Sequence, residues 1–389
     1  MSPSIPLKAR AAVIVAFDQD LVLRDDQPVL QPSELAPGQC LVKIDYAGVC
    51  HSDIHIKRGE WGPVGFPRVG GHEGIGHIVA IGEHTVNSPV KIGDRVGIKW
   101  LAKSCLNCEM CRTGFDACEP SQYFEIFISL HASGCNLRLS HGHKVDGSFA
   151  DYALSYVDYC TPIPESLDSA AATPLLCAGL TVYKALKETN PQLGKWVAIP
   201  GAGGGLGHLG MHSIRYCNGH ACDCDWLVSV ILQFFVECSN DPDTGDAKRE
   251  LCLQLGAEKW VDFKTSTNVI QDVKDAADGV GPHAAVVVSS SAGPLDQAVM
   301  YLRPKGTLVA VGIPSSATML KVPVGLLVSK CLTIIGTSVG NRQDMAEALD
   351  IAASGKVACR HQVKPFSEIN AIFTELAAEN IAGRVVLKM

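Results

Sequence analysis

The stretch that decides the fold is Lys195-Trp196-Val197-Ala198-Ile199-Pro200-Gly201-Ala202-Gly203-Gly204-Gly205-Leu206-Gly207. Its first half is a short apolar run of the kind that forms a buried strand, and its second half is a glycine-rich turn. Gly201, Gly203, Gly204, Gly205 and Gly207, with Leu206 among them, let the backbone approach a pyrophosphate at the N-terminus of a following helix. Downstream, Ala284-Ala285-Val286-Val287-Val288 and Gly306-Thr307-Leu308-Val309-Ala310-Val311-Gly312 are continuous apolar runs, as in parallel strands covered on both faces. Pro294 to Leu302 reads as a helix between them. These features predict an α/β domain with a doubly wound parallel sheet over residues 178–330.

Upstream, the texture differs. Short alternating segments such as Gln39-Cys40-Leu41-Val42-Lys43-Ile44-Asp45 and Gly76-His77-Ile78-Val79-Ala80-Ile81 are joined by Gly- and Pro-rich turns, predicting an all-β module. The tail carries a predicted helix at Asp344–Ala353 and a strand near Val385–Lys388. A chain of 389 residues accommodates two such domains. The net charge of −7 gives no electrostatic reason for a nucleic-acid or anionic-membrane partner. The most apolar run, Trp226 to Val236, falls short of the ~20 residues that a spanning helix needs. With no signal- or transit-peptide pattern at the N-terminus, the expectation is a soluble cytoplasmic protein.

Sixteen cysteines in a chain without an export signal point to metal ligation rather than disulfides. Cys105-Leu-Asn-Cys108-Glu-Met-Cys111 places three thiols at successive CxxC spacing, suited to one tetrahedral zinc with a fourth ligand from nearby. Cys118 and Cys135 are both available. A closed four-sulfur site leaves no open position, so it would be structural. Separately, Cys50-His51-Ser52-Asp53, Gly71-His72-Glu73-Gly74 and Leu176-Cys177-Ala178-Gly179 offer Cys, His and Cys. That set leaves a fourth zinc position for water or a substrate oxygen, which is the catalytic arrangement.

These motifs, with Cys177-Ala-Gly-Leu-Thr-Val-Tyr183, the glycine turn and Ser338-Val-Gly-Asn-Arg342, resemble the tetrameric fungal and bacterial zinc-dependent alcohol dehydrogenases of the medium-chain type. The resemblance follows the family's order over nearly the whole chain. It implies a GroES-like β domain (residues 1–177 and 331–389) with a Rossmann domain inserted, and an active site in the cleft between them. It implies Cys50, His72 and Cys177 as catalytic-zinc ligands, with Asp53 and Glu73 orienting them and tuning the metal's charge. Ser52 would bond the alcohol hydroxyl, and His51 and His55 would complete a proton relay. Trp61 and Trp100 would narrow the pocket for a small primary alcohol such as ethanol. Cys105, Cys108, Cys111 and Cys118, or Cys135 as the alternative fourth ligand, would hold a structural zinc. Asp243 is the candidate for the adenosine ribose, favouring NAD over NADP, with Lys248, Ser338 and Arg384 as further cofactor positions. A homotetramer is the implied assembly.

The sequence departs from the family after the glycine turn. Met211-His-Ser-Ile-Arg-Tyr-Cys217-Asn-Gly-His-Ala-Cys-Asp-Cys224 and the apolar run that follows replace the expected amphipathic helix and short strand. Family pattern resumes at Asp243-Thr-Gly-Asp-Ala-Lys248. Back-translating Ser213 to Cys224 and shifting by one base permits a run of good helix formers followed by a β-branched strand. Residues 211–242 therefore read as an out-of-frame exon fragment followed by translated intron, or else as an insertion. In the first case the cofactor domain is disrupted, leaving a zinc-binding protein without turnover as the rival function; a secondary-alcohol or polyol dehydrogenase is the rival enzyme.

Overall fold

A computed structural model describes residues 4–114, 135, 137–190, 194–213, 230–234, 243–289, 291–313, 319–378 and 380–389. The N-terminal half forms the β module. Its main sheet runs Thr161–Pro162, Arg95–Ile98, Gly74–Ile81, Gln39–Val49, Arg384–Lys388 and His361–Pro365, with Tyr152–Tyr156 also paired to Gln39–Val49. The C-terminal strand thus enters the N-terminal sheet, antiparallel to Gln39–Val49 with Val385 opposite Val49. Alternation sends Val42, Ile44, Ile78, Val96 and Leu387 into one core with Phe149 and Phe373.

The second unit is a six-stranded parallel sheet in the order Lys259–Asp262, Val230–Phe234, Val197–Ala198, Ala284–Val287, Thr307–Ala310, Thr333–Gly336. Numbered along the chain, this is the doubly wound order 3-2-1-4-5-6, whose switch point lies beyond the carboxyl ends of the first and fourth strands. The Ala-Ala-Val-Val strand at 284–287 is buried along its length, as a strand covered on both faces must be. The expected helix over Pro294–Leu302 is found at Gly293–Tyr301, and that over Asp344–Ala353 at Arg342–Ala353. Thr333–Gly336 pairs with Thr307–Ala310, so the sheet extends past residue 330.

The apolar run after the glycine turn contributes a strand. Val230–Phe234 pairs with Val197–Ala198 on one side and Lys259–Asp262 on the other. A β-branched apolar segment satisfies the sheet at this place whatever its origin. The rest of 214–242 lies outside the described residues.

The two units are joined by helix Ala178–Glu188, which packs against helices Gly207–Ser213 and Arg342–Ala353. Leu180, Val182, Leu209, Met345 and Leu349 form the apolar seam. Lys187, on the joining helix, reaches Arg342–Ala353 from outside, 2.8 Å from both Asp344 and Glu347. This seam fixes the cleft between the β module and the parallel sheet.

Candidate active site

Cys50 ends strand Gln39–Val49 and caps helix His51–Lys57. Asp53, in that helix's first turn, accepts the Cys50 N–H at 3.0 Å through one carboxylate oxygen. Its other oxygen accepts from His72 Nδ1 at 2.9 Å. The carboxylate therefore fixes the His72 tautomer and leaves Nε2 facing Cys177 Sγ at 3.3 Å. Ligand atoms of Cys50, His72, Glu73 and Cys177 all lie within 4.8 Å of one another, and all four residues are buried.

The electrostatics match. Burial alone would lower the His72 pKa, but Asp53 and Cys50 outweigh it and hold the value well above the ordinary range. Cys50 is driven toward thiolate by the hydrogen bond from Cys177, against burial and with help from Arg384 and His72. Cys177 moves the opposite way, raised by that same bond and by burial. Two soft sulfurs and an imidazole oriented by a carboxylate form a donor set that fits zinc.

Glu73 is held by Arg384, whose Nη2 donates to both carboxylate oxygens across 311 positions of sequence. Burial pushes the Glu73 carboxyl up to about 7 against the pull of Arg384. Arg384 in turn packs on the glycine turn: a Cβ at Gly205 would sit 2.8 Å from Arg384 Cδ. Gly201 has φ +91°, a backbone state that L side chains rarely adopt.

A cavity of about 460 Å³ opens between these banks. Cys50, His51, Ser52, His55, His72 and Cys177 line one side; Gly201, Gly204, Gly205, Leu206, Lys248, Ser338 and Arg384 line the other. Trp61 and Trp100 meet edge to face at 5.6 Å across its wall, and His55 stacks on Trp61 at 5.3 Å. Gly203 lies back from the cavity against the Lys248 stem, and Gly207 begins the helix after the turn. Asp243 starts helix Asp243–Gln254, but its side chain lies outside what the structure describes. Two features had no sequence signal. Glu60 contacts His55 Nδ1, and Ile372, Leu376 and Ile381 close the cavity from the C-terminal region. Apolar lining carries no motif, and Glu60 stands five residues from its partner on a turn.

The second cysteine cluster comprises Cys105, Cys108, Cys111 and Cys135, with their sulfurs within 4.8 Å. Cys105 Sγ accepts the backbone N–H groups of Asn107 at 3.4 Å and Cys108 at 3.3 Å, which lowers its thiol to about 6. The Cys105 N–H points at Cys135 Sγ, 3.2 Å away. Four converging thiols also fit zinc. Among the described residues the fourth sulfur is Cys135, the alternative named above; Cys118 lies outside the described residues.

A two-unit dehydrogenase architecture follows, with a β module and a doubly wound sheet facing one another across a thiol- and imidazole-floored cleft. Residues 36–165 match the alcohol dehydrogenase GroES-like domain, and residues 243–354 match the zinc-binding dehydrogenase domain. Over 389 residues the chain is 40% identical to alcohol dehydrogenase 1 of Emericella nidulans, with 99% of each chain covered. It is 38% identical over 388 residues to the alcohol dehydrogenase of Schizosaccharomyces pombe, again with 99% of each covered. Among solved structures, the alcohol dehydrogenase of Aeropyrum pernix superposes with a TM-score of 0.79 at 25% identity, over 98% of this chain and 100% of that one. The acetophenone reductase of Geotrichum candidum, solved with NAD, shares the fold at a TM-score of 0.77 and 24% identity, over 100% of this chain and 99% of that one. The chain belongs to the zinc-dependent medium-chain alcohol dehydrogenase family, and is an oxidoreductase of that family. No helix among the described residues is long and apolar enough to cross a membrane.

Proposed function

We propose that this protein catalyses reversible hydride transfer between a small primary alcohol, ethanol-like in size, and NAD, with the aldehyde as product. The observation that carries this reading is the convergence of Cys50 Sγ, His72 Nε2 and Cys177 Sγ on the floor of a cavity whose opposite bank is the glycine turn. A zinc ion held by Cys50, His72 and Cys177 would supply Lewis acidity toward the alcohol hydroxyl. NAD on the glycine turn would supply the hydride acceptor.

The remaining work falls to the chain. Ser52, whose hydroxyl lies 3.7 Å from Cys50 Sγ, takes the hydrogen bond of the alcohol hydroxyl. His51 and His55 pass its proton to solvent, with Glu60 holding the His55 ring. Trp61 and Trp100 exclude bulky substrates and water. Lys248 and Arg384 bring positive charge to the pyrophosphate, and Ser338 lines the same bank. Asp53 keeps His72 and Cys50 aligned. Asp243 is assigned to the adenosine ribose, where a carboxylate disfavours a 2′-phosphate. The four-sulfur cluster has no open position and is assigned a structural zinc, giving one catalytic and one structural metal per chain. Cysteines gathered as metal-ligand clusters rather than disulfides support a reducing, cytoplasmic setting. Val324 and Val328 are exposed on helix Val324–Lys330, and Thr333–Gly336 is the outermost strand of the sheet among the described residues; both support assembly with further copies of the chain, a homotetramer by family resemblance.

The test is NADH formation from ethanol and NAD by the chain as written, in zinc-containing buffer. Turnover supports the reading and shows that residues 211–242 are tolerated. Activity only after that stretch is replaced by its frame-shifted helix and strand means the chain is a defective reading of its gene. Zinc content without NAD affinity favours the inactive zinc-binding protein. Preference for secondary alcohols or polyols favours the related dehydrogenases.

A further inference from the structure

Cys40 and Cys160 belong to neither cysteine cluster, yet their sulfurs lie 3.4 Å apart inside the β module. Cys40 sits near the start of strand Gln39–Val49, opposite Ser155 on the neighbouring strand Tyr152–Tyr156. After Tyr156 the chain turns back, with the Cys160 N–H donating to Tyr156 O at 2.9 Å, and this turn swings Cys160 over Cys40. Cys40 is fully buried, whereas Cys160 keeps 7% of its surface exposed.

A buried pair of thiols in contact would ordinarily count as small apolar packing. Here a cation adjoins it. Lys99, itself buried, donates from Nζ to Tyr159 O at 2.8 Å and to Thr161 Oγ1 at 3.2 Å, the residues on either side of Cys160. A thiol beside an ammonium, with a second thiol in contact and limited access, has the features of a reactive cysteine with a resolving partner.

We propose that Cys40 and Cys160 form a redox modification site at which a hydroperoxide converts the two thiols to a disulfide. The Cys160 thiolate attacks the terminal peroxide oxygen. The O–O bond breaks, the departing alkoxide or hydroxide takes up a proton, and Cys160 becomes a sulfenic acid. The Cys40 sulfur then attacks Cys160 Sγ; the S–O bond breaks and water leaves with the Cys40 proton. Two thiols lose two electrons, and the hydroperoxide is reduced to an alcohol (or water) plus water. The order of attack accords with the Cys160 thiol being lowered, first by its bond from Cys40 and then, against burial, by Ser155 and Lys99, while Cys40 is raised. Because Lys99 precedes Trp100 of the cavity wall, the new bond clamps the turn that holds that wall.

The test uses the full chain with its bound metal retained and hydrogen peroxide at one equivalent per chain. Remaining thiols are alkylated in denaturant and the protein is digested without reductant, with metal release followed in the same sample. The expected result is a Cys40–Cys160 linked peptide that depletes both reduced peptides equally, forms before metal is lost, and disappears on adding dithiothreitol. Cys160→Ala should leave Cys40 fully alkylated, and Cys40→Ala should leave a Cys160 sulfenate that dimedone traps. Full recovery of both as thiols at a dose that oxidises other cysteines overturns the proposal, as does linkage appearing only after metal release. The map of the unsubstituted chain decides the matter even if a variant fails to fold.

Discussion

His141 lies beneath the cavity wall, and replacing it by Asn turns its burial into a measurable pH dependence. The imidazole Nδ1–H donates to Lys99 O at 2.7 Å, Nε2 faces Leu154 O at 3.2 Å, and the His141 N–H donates to Trp100 O at 3.0 Å. Burial, aided by the charges of Lys99 and His72 and opposed by the two carbonyls, pushes its pKa from 6.5 down to about 4. The unfolded chain therefore binds a proton below its ordinary value that the folded chain refuses until about pH 4, so acidification through this window removes stability. At about 1.36 kcal/mol per pKa unit, the full window is worth about 3 kcal/mol, of which about 2.5 is lost between about pH 7 and about pH 4.5. Asn preserves a donor toward Lys99 O but does not titrate. Urea unfolding of both proteins, followed by tryptophan fluorescence at the two pH values, gives a stability gap in which the carboxylates and thiols common to both cancel. The gap should shrink by about 2–3 kcal/mol on acidification. A gap that stays constant would refute the reasoning, because His141 would then titrate alike in the folded and unfolded chains.

Other consequences are more direct. Asp53→Asn removes the carboxylate that both His72 and Cys50 lean on, and should weaken retention of the catalytic metal about 10–100-fold, read by chelator competition. Gly205→Ala places a methyl 2.8 Å from Arg384 Cδ and 3.0 Å from Gly383 O. It should raise KM for NAD at least tenfold, about 1.4 kcal/mol, while metal content is unchanged; equal cofactor affinity would show that the turn does not carry the pyrophosphate. Cys135→Ser should empty the four-sulfur site by metal analysis while Cys118→Ser leaves it filled, and the reverse pattern would return the fourth ligand to Cys118.

Much of the site was legible because its chemistry is local in sequence. Asp53 caps the very helix that Cys50 begins, and the glycine turn follows directly on its strand, so each fragment shows its role within a few residues. The parts that escaped are those assembled by topology. Glu73 and Arg384 meet only because the final strand enters the N-terminal sheet beside Gln39–Val49, a pairing that no spacing rule anticipates. Cys135 and Cys118 were inseparable for a related reason: both follow the triple cysteine in sequence, and residue count alone does not record which sulfur reaches the other three.

The segment after the glycine turn shows the same division from the other side. Its sequence reads as foreign to the fold, yet Val230–Phe234 takes the second place in the parallel sheet between two genuine neighbours. A central parallel strand asks only for a few apolar, β-branched residues and free backbone donors on both edges, and many unrelated sequences meet that demand. On the proposed reading, the cofactor turn asks for glycine at defined positions, which this chain retains, and for positive charge across the cavity, where Lys248 and Arg384 lie outside the segment. Binding geometry and sheet completion are thus written in different residues. A chain altered between 211 and 242 keeps the groups that would recognise the cofactor. What such an alteration threatens is the stability of the domain that presents them, which is why replacing the segment and measuring turnover tests the domain's integrity more sharply than it tests the identity of the site.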